Sequence, residues 1–155
     1  MRDDKWLFAK LDSIWDTYFP DVPQDNDVRI VWGRRARTRL GSIKPGDRRS
    51  GKHPETIITI NSLLKDQNIP EYVVVGTIAH ELSHYAHGFH SPIARKHATP
   101  HAGGVIHKEL KGRGLGDLEK KQKRWLKDNW REYIMENFKQ AKTKPRSRRI
   151  IVRWF

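Results

Sequence analysis

The chain has 155 residues, with six Trp, five Phe, four Tyr and no Cys, and its 31 Lys and Arg against 18 Asp and Glu give a formal net charge of +13. That length suits one domain with a real hydrophobic core, while a mean hydropathy of −0.82 and the lack of any apolar run near the roughly 20 residues of a membrane span exclude a membrane-spanning helix. Without Cys there can be no disulfide and no cysteine zinc ribbon, and a pI near 10.2 points to a polyanionic partner, most often nucleic acid.

Residues 3 to 19 carry Trp6, Leu7, Leu11, Ile14, Trp15 and Tyr18 at helical spacing, with Pro20 as the stop, which predicts a core-covering helix. The opening Arg2-Asp3-Asp4-Lys5 lacks the character of a signal peptide, so the expected location is the cytoplasm, associated with the nucleoid, or the nucleus, and not outside the cell. After a polar connection from Asp21 to Asp27, Val28 to Trp32 reads as a strand, Arg39 to Ile43 as a second and Thr56 to Ile60 as a third. An antiparallel meander is the simplest arrangement for them.

Charge is distributed unevenly over this part of the chain. Residues 1 to 27 hold seven acids and three bases, whereas residues 34 to 52 hold eight bases and only Asp47. Arg34, Arg35 and Arg37 fall between the first two strands, and Arg48, Arg49 and Lys52 in a Gly- and Pro-rich stretch from Lys44 to Pro54 that reads as a loop. These six side chains are the candidates for contact with nucleic-acid phosphates, without base reading. Trp32 is placed to stack on an unpaired base or to join the core, and a sheet aromatic more often does the latter.

Asn61 to Ile69 should turn the chain, with a short helical piece, into a helix opened by Pro70-Glu71 and closed by Gly88. Within it lies His80-Glu81-Leu82-Ser83-His84. Positions four apart share one helix face, so both imidazoles can aim at one metal ion. Zn²⁺ accepts such nitrogens and keeps a coordination position open for water. Glu81 falls beside that position, where a carboxylate can take a proton from the water. A third protein ligand is needed, and the later histidines are 87, 90, 97, 101 and 107. His90 occupies the third-ligand place of the metzincin pattern, although that pattern's Gly would fall at His87 and no Met lies between residues 91 and 134 to form its Met-turn. His101, in Pro100-His101-Ala102-Gly103-Gly104, would stand at the entrance to a short helix that returns to the motif helix.

The order of Trp32, Arg39 to Ile43, Ile58 to Leu63, His80 to His84, Pro100-His101 and Leu110 through Leu115 resembles the SprT-like, Spartan-type metalloprotease domain over roughly residues 5 to 135. The resemblance implies an α+β, zincin-like fold, with a small antiparallel sheet of three or four strands packed against the motif helix and flanking N- and C-terminal helices. It implies Zn²⁺ held by His80, His84 and His101, with His90 the alternative, and Glu81 as catalytic base in peptide-bond hydrolysis. It also implies protein substrates bound or crosslinked to DNA, in agreement with the charge. Ala102 stands where the family's segment has Gly, and the 17-position gap from His84 to His101 is generous. In zinc hydrolases of this build, a strand ahead of the metal helix commonly receives an extended peptide by strand addition; residues 56 to 60 are the candidate edge. A DNA-binding module with a structural zinc, and a zinc hydrolase of a small or phosphate-bearing substrate, are the competing classes.

Asp117 to Gln140 reads as a long amphipathic helix with Leu118, Trp125, Leu126, Trp130, Tyr133, Ile134 and Phe138 on its apolar side. Residues 1 to 140 form the expected domain, a monomer is the expected state, and residues 141 to 155 are a basic tail whose last six residues favour an added strand.

Overall fold

The computed structural model describes residues 1–138 and Val152, with the backbone alone at Ser50. The basic tail and the strand expected at its end therefore lie outside the described residues, apart from Val152, which is half-buried against the core. The architecture is α+β. Helix α1 (Asp4–Tyr18) precedes strands β1 (Val28–Trp32), β2 (Gly41–Ser50) and β3 (His53–Ile60). A 3-10 turn (Ser62–Lys65) leads into α2 (Glu71–Ala86), and a second (Ala102–Gly104) leads into α3 (Val105–Gly112). Helix α4 (Gly116–Trp125) then runs through a π-turn (Leu126–Trp130) into α5 (Arg131–Asn137). No helix among the described residues is long and apolar enough to cross a membrane.

Helix α1 begins where Asp3 accepts a hydrogen bond from the Trp6 amide at 2.8 Å, a side-chain N-cap. It buries Leu7, Leu11, Ile14 and Trp15, the i, i+4, i+7, i+8 stripe that its sequence predicts. Arg2, just outside it, is buried and donates to the carbonyls of Leu64, Asp66 and Ile69 at 2.8–2.9 Å, which ties the N-terminus to the turn ahead of α2.

The sheet departs from the expected meander. Its order is β1-β3-β2, with β1 parallel to β3 and β2 antiparallel to β3. The segment from Gly33 to Leu40 therefore crosses the C-terminal end of β3 before β2 turns back along it. Most of the stretch from Lys44 to Pro54 is strand and not loop, because an irregularity in register between Pro45 and Arg49 absorbs residues that cannot pair. The tight turn is confined to Gly51 and Lys52. Strand β3, the candidate edge in the sequence, is central; among the described residues the edges are β1 and β2.

Helix α2 is the axis of the molecule. Thirteen of its sixteen residues are buried, so it is enclosed on all sides rather than amphipathic. Its C-terminus closes as the sequence predicts, at Gly88 with φ +83°, where a Cβ would stand 2.5 Å from the Ile93 carbonyl oxygen. Against its sheet side, Tyr85 donates to Asn26 Oδ1 at 2.6 Å, and Asn26 donates to Pro54 O and Thr56 Oγ1. Against its other side, Gln122 of α4 donates to Val73 O at 2.9 Å and Thr77 Oγ1 at 3.1 Å. Gly76 makes this approach possible, since a Cβ there would overlap the Gln122 amide.

The expected single C-terminal helix is one continuous rod with a π-turn in its middle. That turn keeps Leu126, Trp130 and Ile134 buried in succession. We predict that Gly76→Ala expels the Gln122 amide and lowers stability by about 1–3 kcal/mol through two lost buried hydrogen bonds and overpacking, read as a lower urea midpoint at unchanged m-value.

Candidate metal centre

Helix α2 brings His80 and His84 to one face, and the chain entering α3 carries His101 over them. His80 Nε2 lies 3.1 Å from His84 Nε2 and 3.3 Å from His101 Nε2. Two nitrogens each bound at 2.0–2.1 Å in a tetrahedral shell are about 3.3 Å apart, so the spacing is that of a metal edge. One cation can accept a lone pair from each of the three Nε2 atoms. His80, His84 and His101 thus form a group able to hold a metal ion, in which His101 is exposed and the helix pair buried.

Electrostatics favour the neutral, ligating imidazoles. Burial, followed by the neighbouring His84 and His101, holds His80 well below its ordinary pKa. Burial, then His101, His87 and His90, lowers His84 to about 3. Burial also lowers His101. A cation bound to neutral nitrogens replaces protons that this environment already rejects.

Glu81 completes the arrangement. It is fully buried, and neither carboxylate oxygen has a hydrogen-bond partner among the described residues. Burial drives its pKa well above the usual carboxylate value, against the opposing field of Arg39. The first residue of β2 stands directly behind it, because a Cβ at Gly41 would lie 2.8 Å from Thr77 Cγ2 and 3.1 Å from Glu81 Oε1. A glycine inside a strand is the sequence sign of such a close approach. His84 Nδ1 is likewise buried without a partner among the described residues.

His90 lies outside the cluster. The chain leaves α2 through left-handed backbone at Gly88 and again at His90 (φ 56°), and the His90 carbonyl accepts a hydrogen bond from the Thr56 hydroxyl. His87 is buried and engaged elsewhere. Its Nε2 is 3.1 Å from Glu109 Oε2, and Glu109 and Asp21 together hold Arg113.

The six basic candidates separate into two groups. Arg34, Arg35 and Arg37 lie in the crossing that passes the C-terminal end of β3, and Arg48, Arg49 and Lys52 lie around the hairpin at its N-terminal end. With eight residues in β3, the ends are roughly 23 Å apart. The first group is built into the fold. Asn61 donates to Ala36 O at 2.7 Å and Arg39 O at 2.9 Å, and Trp130 Nε1 donates to Arg37 O at 2.8 Å. The guanidinium groups of Arg35 and Arg37 each lie 5.0 Å from the centre of the Phe138 ring. In the second group, Arg48 is 3.5 Å from the buried Glu55, which also pairs with Arg29 at 3.3 Å. Trp32 is half-buried against the core, with Lys65 Nζ 5.7 Å from its ring centre. Asn61 and Trp130 as anchors of the basic crossing carry no local sequence signal, since their partners are backbone carbonyls 22 to 93 positions away.

With Zn²⁺ as the probe for a metal ion, His101→Ala should weaken binding at least about 100-fold, while His90→Ala leaves it within a factor of about three, as measured by competition with a chromogenic chelator. Comparison of the chain with family models, with curated proteins and with solved structures gave no match.

Proposed function

We propose that the protein is a zinc-dependent endopeptidase of zincin type that cleaves proteins bound or crosslinked to DNA. The observation that carries this reading is Glu81, a fully buried carboxylate without a hydrogen-bond partner among the described residues, beside three converging imidazoles. A purely structural metal site has no use for such a group, and burying it costs stability that only a function explains.

A bound Zn²⁺ supplies Lewis acidity, which activates water near neutral pH and polarises a carbonyl. His80, His84 and His101 would hold it. Glu81 would take a proton from the attacking water and pass it to the leaving amine as the C–N bond breaks. The edge strand next to Glu81 is β2, so an extended peptide adding to it near Gly41 would pass the site. The charge of +13 and the two basic groups support a nucleic-acid tether that acts through phosphates, with the work done in the cytoplasm or nucleus where such partners are. The same charge would suit a phosphate-bearing small substrate, which is the second reading.

Glu81→Gln is predicted to bind zinc like the parent and to lose cleavage of casein and of DNA-bound protein by several orders of magnitude. Equal cleavage by the variant would rule the assignment out. Affinity for single-stranded DNA should fall steeply with salt, and neutralising Arg34, Arg35 and Arg37 together should reduce the log–log slope by about 2 to 3. A salt-independent interaction would leave the charge unexplained.

A further inference from the structure

A cavity of about 170 Å³ opens beside the three-histidine cluster, between α2, α3 and α4. His80 and His101 form part of its wall, and His107, Glu119 and Lys123 another part, over an apolar floor that includes Ile106 and Leu110. His107 is the one further histidine that faces this space. Its Nδ1 is in close contact with Glu119 Oε1, and Lys123 Nζ is 3.7 Å from the other oxygen of Glu119.

Glu119 occupies an unusual position. With Leu115, Gln122 and Leu126 it falls at i, i+4, i+7 and i+11 on the buried stripe of α4, where an apolar residue is the ordinary choice, and it is 5% exposed. Burying a carboxylate there is costly unless its partners are fixed. Its effect on His107 is specific. When a carboxylate holds one imidazole nitrogen, it sets the ring's orientation and leaves the other nitrogen for a ligand. His107 keeps 48% of its side chain exposed and lines the cavity, and because its contact with Glu119 uses Nδ1, Nε2 is the nitrogen left for a ligand. A plain tie between α3 and α4 would need neither that exposure nor a place beside two of the metal-binding imidazoles.

We propose that His107 contacts the substrate directly, with Nε2 hydrogen-bonded to the peptide group being cleaved, and that Glu119 is its positioning residue. This rests on the hydrolase reading of the site. The ligand class is a peptide group or its tetrahedral mimic, held between the three-histidine cluster on one side and His107 on the other.

The test loads the full chain with Co²⁺ in place of Zn²⁺, so that the visible spectrum reports ligand arrival without turnover. A dipeptide phosphonate, whose tetrahedral oxygens imitate the hydrolytic transition state, is the probe. His107→Ala should weaken phosphonate binding at least about 10-fold, with Co²⁺ affinity unchanged and the protein still folded at the assay temperature. On a casein-derived peptide it should lower kcat about 100-fold at nearly constant KM. His107→Gln, which keeps a hydrogen-bonding group, should recover part of the loss, and Glu119→Gln should fall between it and the parent. Phosphonate affinity equal to the parent's in His107→Ala, or a loss that merely tracks lost Co²⁺ or early unfolding, would overturn the proposal. A parent protein that binds the phosphonate and cleaves no peptide would sink the peptidase reading instead, and the phosphonate affinity ratio would still decide the role of His107.

Discussion

Glu81 is enclosed on every side, with its oxygens unpartnered among the described residues, and the helix that carries it also carries His80 and His84. Keeping a polar group in that state requires a surround rigid enough to prevent it from turning toward water or another donor. Most of the fold can be understood as that surround. Gly41 lets the start of β2 close over the carboxylate, and Gly76 lets Gln122 clamp α4 to the opposite side. Asn26 joins Tyr85 to the sheet, and Arg2 fixes the turn that feeds α2. The contacts of Gln122, Asn26, Tyr85 and Arg2 are hydrogen bonds in a largely apolar interior, so each constrains direction as well as distance.

Two polar networks flank the histidine cluster without belonging to it. His87, Glu109, Arg113 and Asp21 link the exit of α2 to α3 and to the end of α1. His107, Glu119 and Lys123 link α3 to α4. The difference between them is access: His87 is sealed in the core, whereas His107 stands on the wall of a cavity.

The parts legible in the sequence were those governed by local rules. The helical stripe ending at Pro20, the Gly88 stop and the i, i+4 histidine pair need only periodicity and cap chemistry, and the structure has each of them. Strand order was not legible, because the parallel pairing of β1 with β3 depends on where a chain segment crosses and not on any residue in either strand. Pro45, Gly46 and Gly51 read as loop residues, yet the register shift at Pro45 lets β2 continue past two of them. The convergence of His101 on the helix pair was legible only through a resemblance, since a gap of 17 positions fixes no geometry. Glu119 and Gln122 did leave a sign: two polar residues in phase with Leu115 and Leu126 on a helix whose other buried positions are apolar.

The position of β2 at the margin of the sheet also bears on how copies of the protein treat one another. An unpaired strand is a template for any other chain, including a second copy of itself. Here that strand carries Lys44, Arg48 and Arg49 as exposed cations and Pro45 as a missing amide donor. Two such margins meeting would bring like charges together along their length and find a gap in the hydrogen-bond ladder. The cations of this strand thus disfavour edge-to-edge pairing between copies, and neutralising them would weaken that protection.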